Sequence, residues 1–90
     1  MSVKIFLKKQ PSGIYILSMT HIDKFDTSKV KKYNVLDSIP NFKTAMSEAR
    51  KLARSWKWKE SVIDLYISGC SDIRNGRYVY QTGKFWKFIG

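Results

Sequence analysis

Apolar side chains take every second place at the start of the chain, where Val3, Ile5 and Leu7 alternate with Lys4, Phe6 and Lys8. That period predicts a strand with one buried face. Gln10, Pro11, Ser12 and Gly13 then combine a preset φ with a residue that tolerates positive φ, and residues 14–19 form a β-branched and aromatic return strand. Residues 20–41 hold no sustained period. Asp23, Asp26, Thr27 and Ser28 are turn formers, Lys29, Lys31, Lys32 and Tyr33 form a basic cluster, and Val35, Leu36 and Ile39 add apolar anchors. This stretch reads as a long ordered loop or a short extra strand. Pro40 and Asn41 break the chain, and Thr44 is the expected N-cap. Ala45, Met46, Ala49, Leu52, Ala53 and Trp56 follow at the three-and-four spacing of an amphipathic helix.

Alternation returns after the helix, with Ile63, Leu65 and Ile67 set against Val62, Asp64 and Tyr66, and Gly69 ends the strand. Asn75 and Gly76 are the preferred pair for a two-residue hairpin turn. Residues 77–81 and 84–89 read as two further strands joined through Thr82 and Gly83. The expected fold is α+β: a single domain over residues 1–90, in β-β-α-β-β-β order, with one antiparallel sheet packed on one face by one helix. No internal repeat, linker or low-complexity segment interrupts it.

Charge adds what the pattern does not show. Seventeen Lys and Arg against seven Asp and Glu leave a formal +10 on 90 residues, and self-repulsion of that size opposes compaction unless something anionic neutralises it. The excess is densest over residues 41–60, where six cations face two acids. On the helix, Lys43, Arg50, Arg54 and Lys57 fall opposite the apolar stripe, flanked by Lys51 and one acid, Glu48. Like charges four residues apart destabilise a helix by a few tenths of a kcal/mol, and approaching phosphates remove that cost. The row therefore reads as a polyanion contact, against the plainer alternative of a solvated helix face in a Lys-rich chain. Lys29, Lys31 and Lys32 carry the same two readings, as a contact element or a solvated lysine run.

Aromatics interleave with lysines twice, at Trp56, Lys57, Trp58 and Lys59, and again at Lys84, Phe85, Trp86, Lys87 and Phe88. In a strand, Lys84, Trp86 and Phe88 share one side and Phe85, Lys87 and Ile89 the other, so one set cannot be core. An aromatic beside a cation suits single-stranded nucleic acid, in which exposed bases stack on side-chain rings. For Trp58 and Trp86 stacking competes with ordinary packing, and Trp56 fits the buried helix stripe.

Asn75, Gly76, Arg77, Tyr78, Val79 and Tyr80 resemble the aromatic RNA-binding strand of RRM domains, in which a basic residue and glycine precede alternating aromatics. The likeness covers six residues and lacks the second small residue between the aromatics. The chain also lacks the second helix of that family, so its fold is not carried over. The resemblance implies a stacking platform of Tyr78 and Tyr80 beside Arg77. The whole composition, favouring Lys, Ile, Tyr, Phe and Asn, resembles that of small accessory proteins of tailed phages. This implies action by binding, on RNA or on a host protein such as a nuclease or toxin, including counter-defence roles.

Several classes fall away. One cysteine, Cys70, cannot form an intramolecular disulfide, which points to a reducing cytoplasm. No apolar run approaches the length of a membrane span. A membrane-surface role is disfavoured because the helix stripe has only Met46, Leu52 and Trp56 as bulky groups. His21 as the sole histidine supports no zinc cluster, and there is no glycine-rich phosphate loop, so neither a metal nor a cofactor is expected. A hydrolase built on His21 with Asp23 and Asp26 is the least favoured reading. The leading expectation is a non-catalytic nucleic-acid-binding protein, RNA ahead of DNA, and the alternative is an adaptor or inhibitor docking on an acidic protein surface. The nucleic-acid contacts expected are Lys43, Arg50, Lys51, Arg54 and Lys57 on the helix, with Lys29, Lys31, Lys32, Arg77, Tyr78, Tyr80, Lys84, Trp86 and Lys87 around it.

Overall fold

The alternating start of the chain forms β1 (Ser2–Lys9), which reverses through Pro11 and Ser12 into β2 (Tyr15–Ile22). The structure is a computed structural model, and it describes residues 2–22, 30–57, 62–71 and 73–88. The Gly13 amide donates to the Gln10 carbonyl at 2.9 Å, and Gly13 closes the turn at a φ of 93°, where a side chain would be strained. The chain continues as β3 (Val30–Ile39), α1 (Phe42–Trp56), β4 (Val62–Ser68), β5 (Gly76–Gln81) and β6 (Lys84–Lys87). The fold is α+β, one helix packed against one six-stranded sheet.

Strand order across the sheet is β3-β2-β1-β4-β5-β6. Every neighbouring pair is antiparallel except β1 with β4. That parallel pair departs from the all-antiparallel expectation for a geometric reason. The first three strands meander, so β3 runs the same way as β1, and α1 carries the chain back over the sheet to start β4 in that direction. The stretch that offered no period contains a ten-residue strand. β3 is an edge strand exposed along all but its last residue, with a register shift against β2 near Leu17, so neither face imposes alternation.

Cross-strand register sorts side chains into two faces. Val3, Ile5 and Leu7 stand beside Met19, Leu17, Ile63, Leu65 and Ile67, all buried beneath the helix. Ala45, Ala49 and Ala53 are the fully buried helix positions, and their small side chains let α1 lie close over β1 and β2. Met46, Leu52 and Trp56 fill the flanks. Burying each large aliphatic side chain contributes about 1.5–3 kcal/mol. Asn41, not Thr44, is the N-cap: its Oδ1 accepts the Thr44 amide hydrogen at 2.8 Å, because the helix begins one turn earlier, directly after Pro40.

The end of the chain is built differently from the expected pair of tight turns. Thr82 and Gly83 do form a two-residue turn, with φ of 53° and 79°, the left-handed geometry that such hairpins require. Asn75 and Gly76 do not form one. β4 and β5 are joined by a longer loop, and Asn75 closes it with its side chain, accepting from the Cys70 amide at 2.8 Å and donating to the Cys70 carbonyl at 3.1 Å. Among the described residues no helix is long and apolar enough to cross a membrane.

Candidate nucleic-acid interface

Met46, Arg50 and Arg54 are each four residues apart, so they form one flank of α1, turned toward the β5 and β6 hairpin. The tight turn at Thr82 and Gly83 brings Lys84 and Phe85 up to that flank. Together Met46, Arg50, Arg54, Gly83, Lys84 and Phe85 line a groove of about 360 Å³. Its base is apolar, with Phe85 packed edge-on against Tyr80 at 5.2 Å between ring centroids. Three cations from two elements thus meet over an aromatic floor. Arg50, Arg54 and Lys84 are exposed, and none has an ion-pair partner among the described residues.

The other helix cations are arranged less tightly. Lys51 reaches Glu48 at 3.4 Å, so the one helix acid engages a cation beside the groove. Lys43 and Lys57 are exposed near the two ends of α1. Lys57 lies at the C-terminal cap, where a positive charge also complements the helix dipole.

Lys31 and Lys32 are exposed on β3, five strand spacings from β6, or roughly 24 Å. They do not join the groove, and they point to opposite faces of the sheet, as neighbours in a strand must. Lys29 and Trp58 lie outside the described residues. Lys87 donates to the Ile73 carbonyl at 2.7 Å, which gives it a part in holding the loop before β5.

The tyrosine platform does not form. Tyr78 and Tyr80 share a face as alternation requires, but Tyr78 pairs with Leu65, which puts both rings on the helix side. Tyr80 is 6% exposed and belongs to the core, while the half-buried Tyr78 donates its hydroxyl to the Arg74 carbonyl at 2.7 Å. Burial pushes the hydroxyl pKa of both Tyr78 and Tyr15 up, and at Tyr15 the neighbouring Cys70 thiol adds to the effect. Arg77 points to the opposite face, where it binds Asp64 at 3.1 Å and lies 4.8 Å from the Phe88 ring centroid. Trp86 is on that face too, 54% exposed, with its indole nitrogen donating to the Gln81 carbonyl at 3.0 Å.

Sequence reasoning passed over Phe6, Tyr66, Lys4 and Lys8, which share that second face of the sheet. The signal was the alternation at residues 3–8, where a lysine, a phenylalanine and a lysine occupy the side away from the core. Arg74 was also passed over; its guanidinium covers the Phe42 ring at 4.2 Å. His21 packs against Trp56 with ring centroids 4.8 Å apart, while Asp23 and Asp26 lie outside the described residues. Among the described residues no three His, Cys, Asp or Glu side chains gather as metal ligands would. Comparison with family models, with curated proteins and with solved structures returned no match.

Proposed function

We propose that this protein binds nucleic acid without catalysis, RNA ahead of DNA, and grips the phosphate backbone in the groove between α1 and the β6 hairpin. The observation that carries the reading is the convergence of Arg50, Arg54 and Lys84 on one groove. Two guanidinium forks and an ammonium suit phosphate oxygens, and each neutralised phosphate releases condensed counterions. The like charges of Arg50 and Arg54 repel across one helix turn until an anion sits between them. RNA is favoured because exposed aromatics such as Trp86 suit unpaired bases, which RNA presents in loops and ends. A reducing cytoplasm is the compartment that the single cysteine suits.

The test is the combined change Arg50→Glu, Arg54→Glu and Lys84→Glu. It should abolish binding to a short RNA duplex at low salt and leave the circular dichroism spectrum unchanged, because all three side chains are exposed. Retained binding in a folded variant would refute the groove assignment.

A second reading draws on β3, an edge strand whose Val30, Tyr33, Val35 and Leu36 are exposed apolar groups. Such an edge suits strand addition by a protein partner, with the cations steering an acidic surface toward it. A host nuclease or toxin is the kind of partner that the phage-like composition implies.

A further inference from the structure

The helix covers one face of the six-stranded sheet, and no described element covers the other. Register aligns one complete row, and a second that spans five strands, on that open face. One runs Lys32, Thr20, Lys4, Asp64, Val79, Trp86 from edge to edge. The next runs Asn34, Ser18, Phe6, Tyr66, Arg77, with Phe88 beside Arg77. Apolar side chains scattered singly are ordinary on a solvated face, whereas a cluster of rings is not. Here Phe6 and Tyr66 stack at 5.5 Å and 18°, and Trp86 and Phe88 are 54% and 52% exposed.

Small polar side chains beside a large ring leave a hollow. Next to Phe6, on the side of β2 and β3, lies a depression of about 280 Å³ lined by Phe6, Ser18, Thr20, Lys32 and Asn34 among others. An aromatic side chain with hydroxyl, amide and lysine groups around it provides the parts that a nucleobase and its phosphate engage. Charge points to the same class of occupant. Lys4, Lys8 and Lys32 stand on this face, and its buried acid, Asp64, is 4% exposed and engaged by Arg77. A second copy of the chain would bring another +10 onto a basic surface, which opposes face-to-face pairing.

We infer that the open sheet face is a second binding surface, specific for single-stranded nucleic acid, with one base in the hollow beside Phe6 and another stacked on Trp86. This rests on the nucleic-acid reading for the class of ligand and adds a preference that the groove alone does not supply. A duplex keeps its bases stacked inside and offers the sheet only phosphates.

The experiment compares a short oligouridine RNA with a blunt RNA duplex of equal length, each at low salt. The variant is Trp86→Ala with Lys32→Glu, both exposed and at opposite ends of one row. Lys9→Glu, the same charge change at the end of β1 on the helix side of the sheet, is the control. The single-strand affinity of the double variant should fall by at least about tenfold while duplex affinity and the Lys9→Glu protein change by less than about threefold. Equal losses on both nucleic acids, or no loss, would overturn the sheet-face assignment and leave the groove reading standing. So would a dimer that dissociates in the Trp86→Ala variant while oligouridine binding persists. Failure of the unaltered protein to bind either RNA would overturn both.

Discussion

Asn75 holds Cys70 by both of its backbone groups, doing with one amide what a neighbouring strand does with a peptide unit. The loop between β4 and β5 depends on it. Asn75→Ala should lower stability by about 1–2 kcal/mol in urea unfolding, and Asn75→Asp, which keeps the acceptor and loses the donor, by about half as much. Residue type alone does not reveal such a bond, since Asn before Gly is also the best two-residue turn. The tyrosines teach the same point. Alternation puts Tyr78 and Tyr80 on one face, but whether that face is core is decided by a partner, Leu65, thirteen residues away.

Elements whose two sides differ were legible in the sequence. α1 was readable because its stripe of Ala45, Ala49 and Ala53 faces the sheet and its cations face water. β1 and β4 were readable for the same reason. β3 was not, because an edge strand exposed on both faces needs no period. Within α1, Arg50 and Arg54 are in the position where a Glu and Arg pair would stabilise the helix. Arg50→Glu alone should therefore raise stability by about 0.5 kcal/mol in thermal or urea unfolding while weakening RNA binding. A gain in stability together with a loss of binding would identify the arginine as retained for its ligand, whereas loss of both would assign it to the fold.

At the scale of the molecule, one helix on a six-stranded sheet leaves the other sheet face uncovered by any described element and brings two helix cations, Arg50 and Arg54, to one hairpin. The chain's order of elements announced the helix and its basic row. It did not announce that Lys84 would meet that row, because the meeting depends on strand order and on a parallel pair that no local pattern encodes. The +10 charge becomes a function only if cations act together on phosphates, and the salt dependence of binding counts how many do. The decisive measurement is the affinity of the unaltered protein for a short single-stranded RNA between about 50 mM and about 200 mM salt. With at least the three groove cations engaged, the logarithm of affinity should fall against the logarithm of salt with a slope of about −2 or steeper, roughly a twentyfold loss. A slope shallower than about −1, or no binding at the lower salt, would contradict the account.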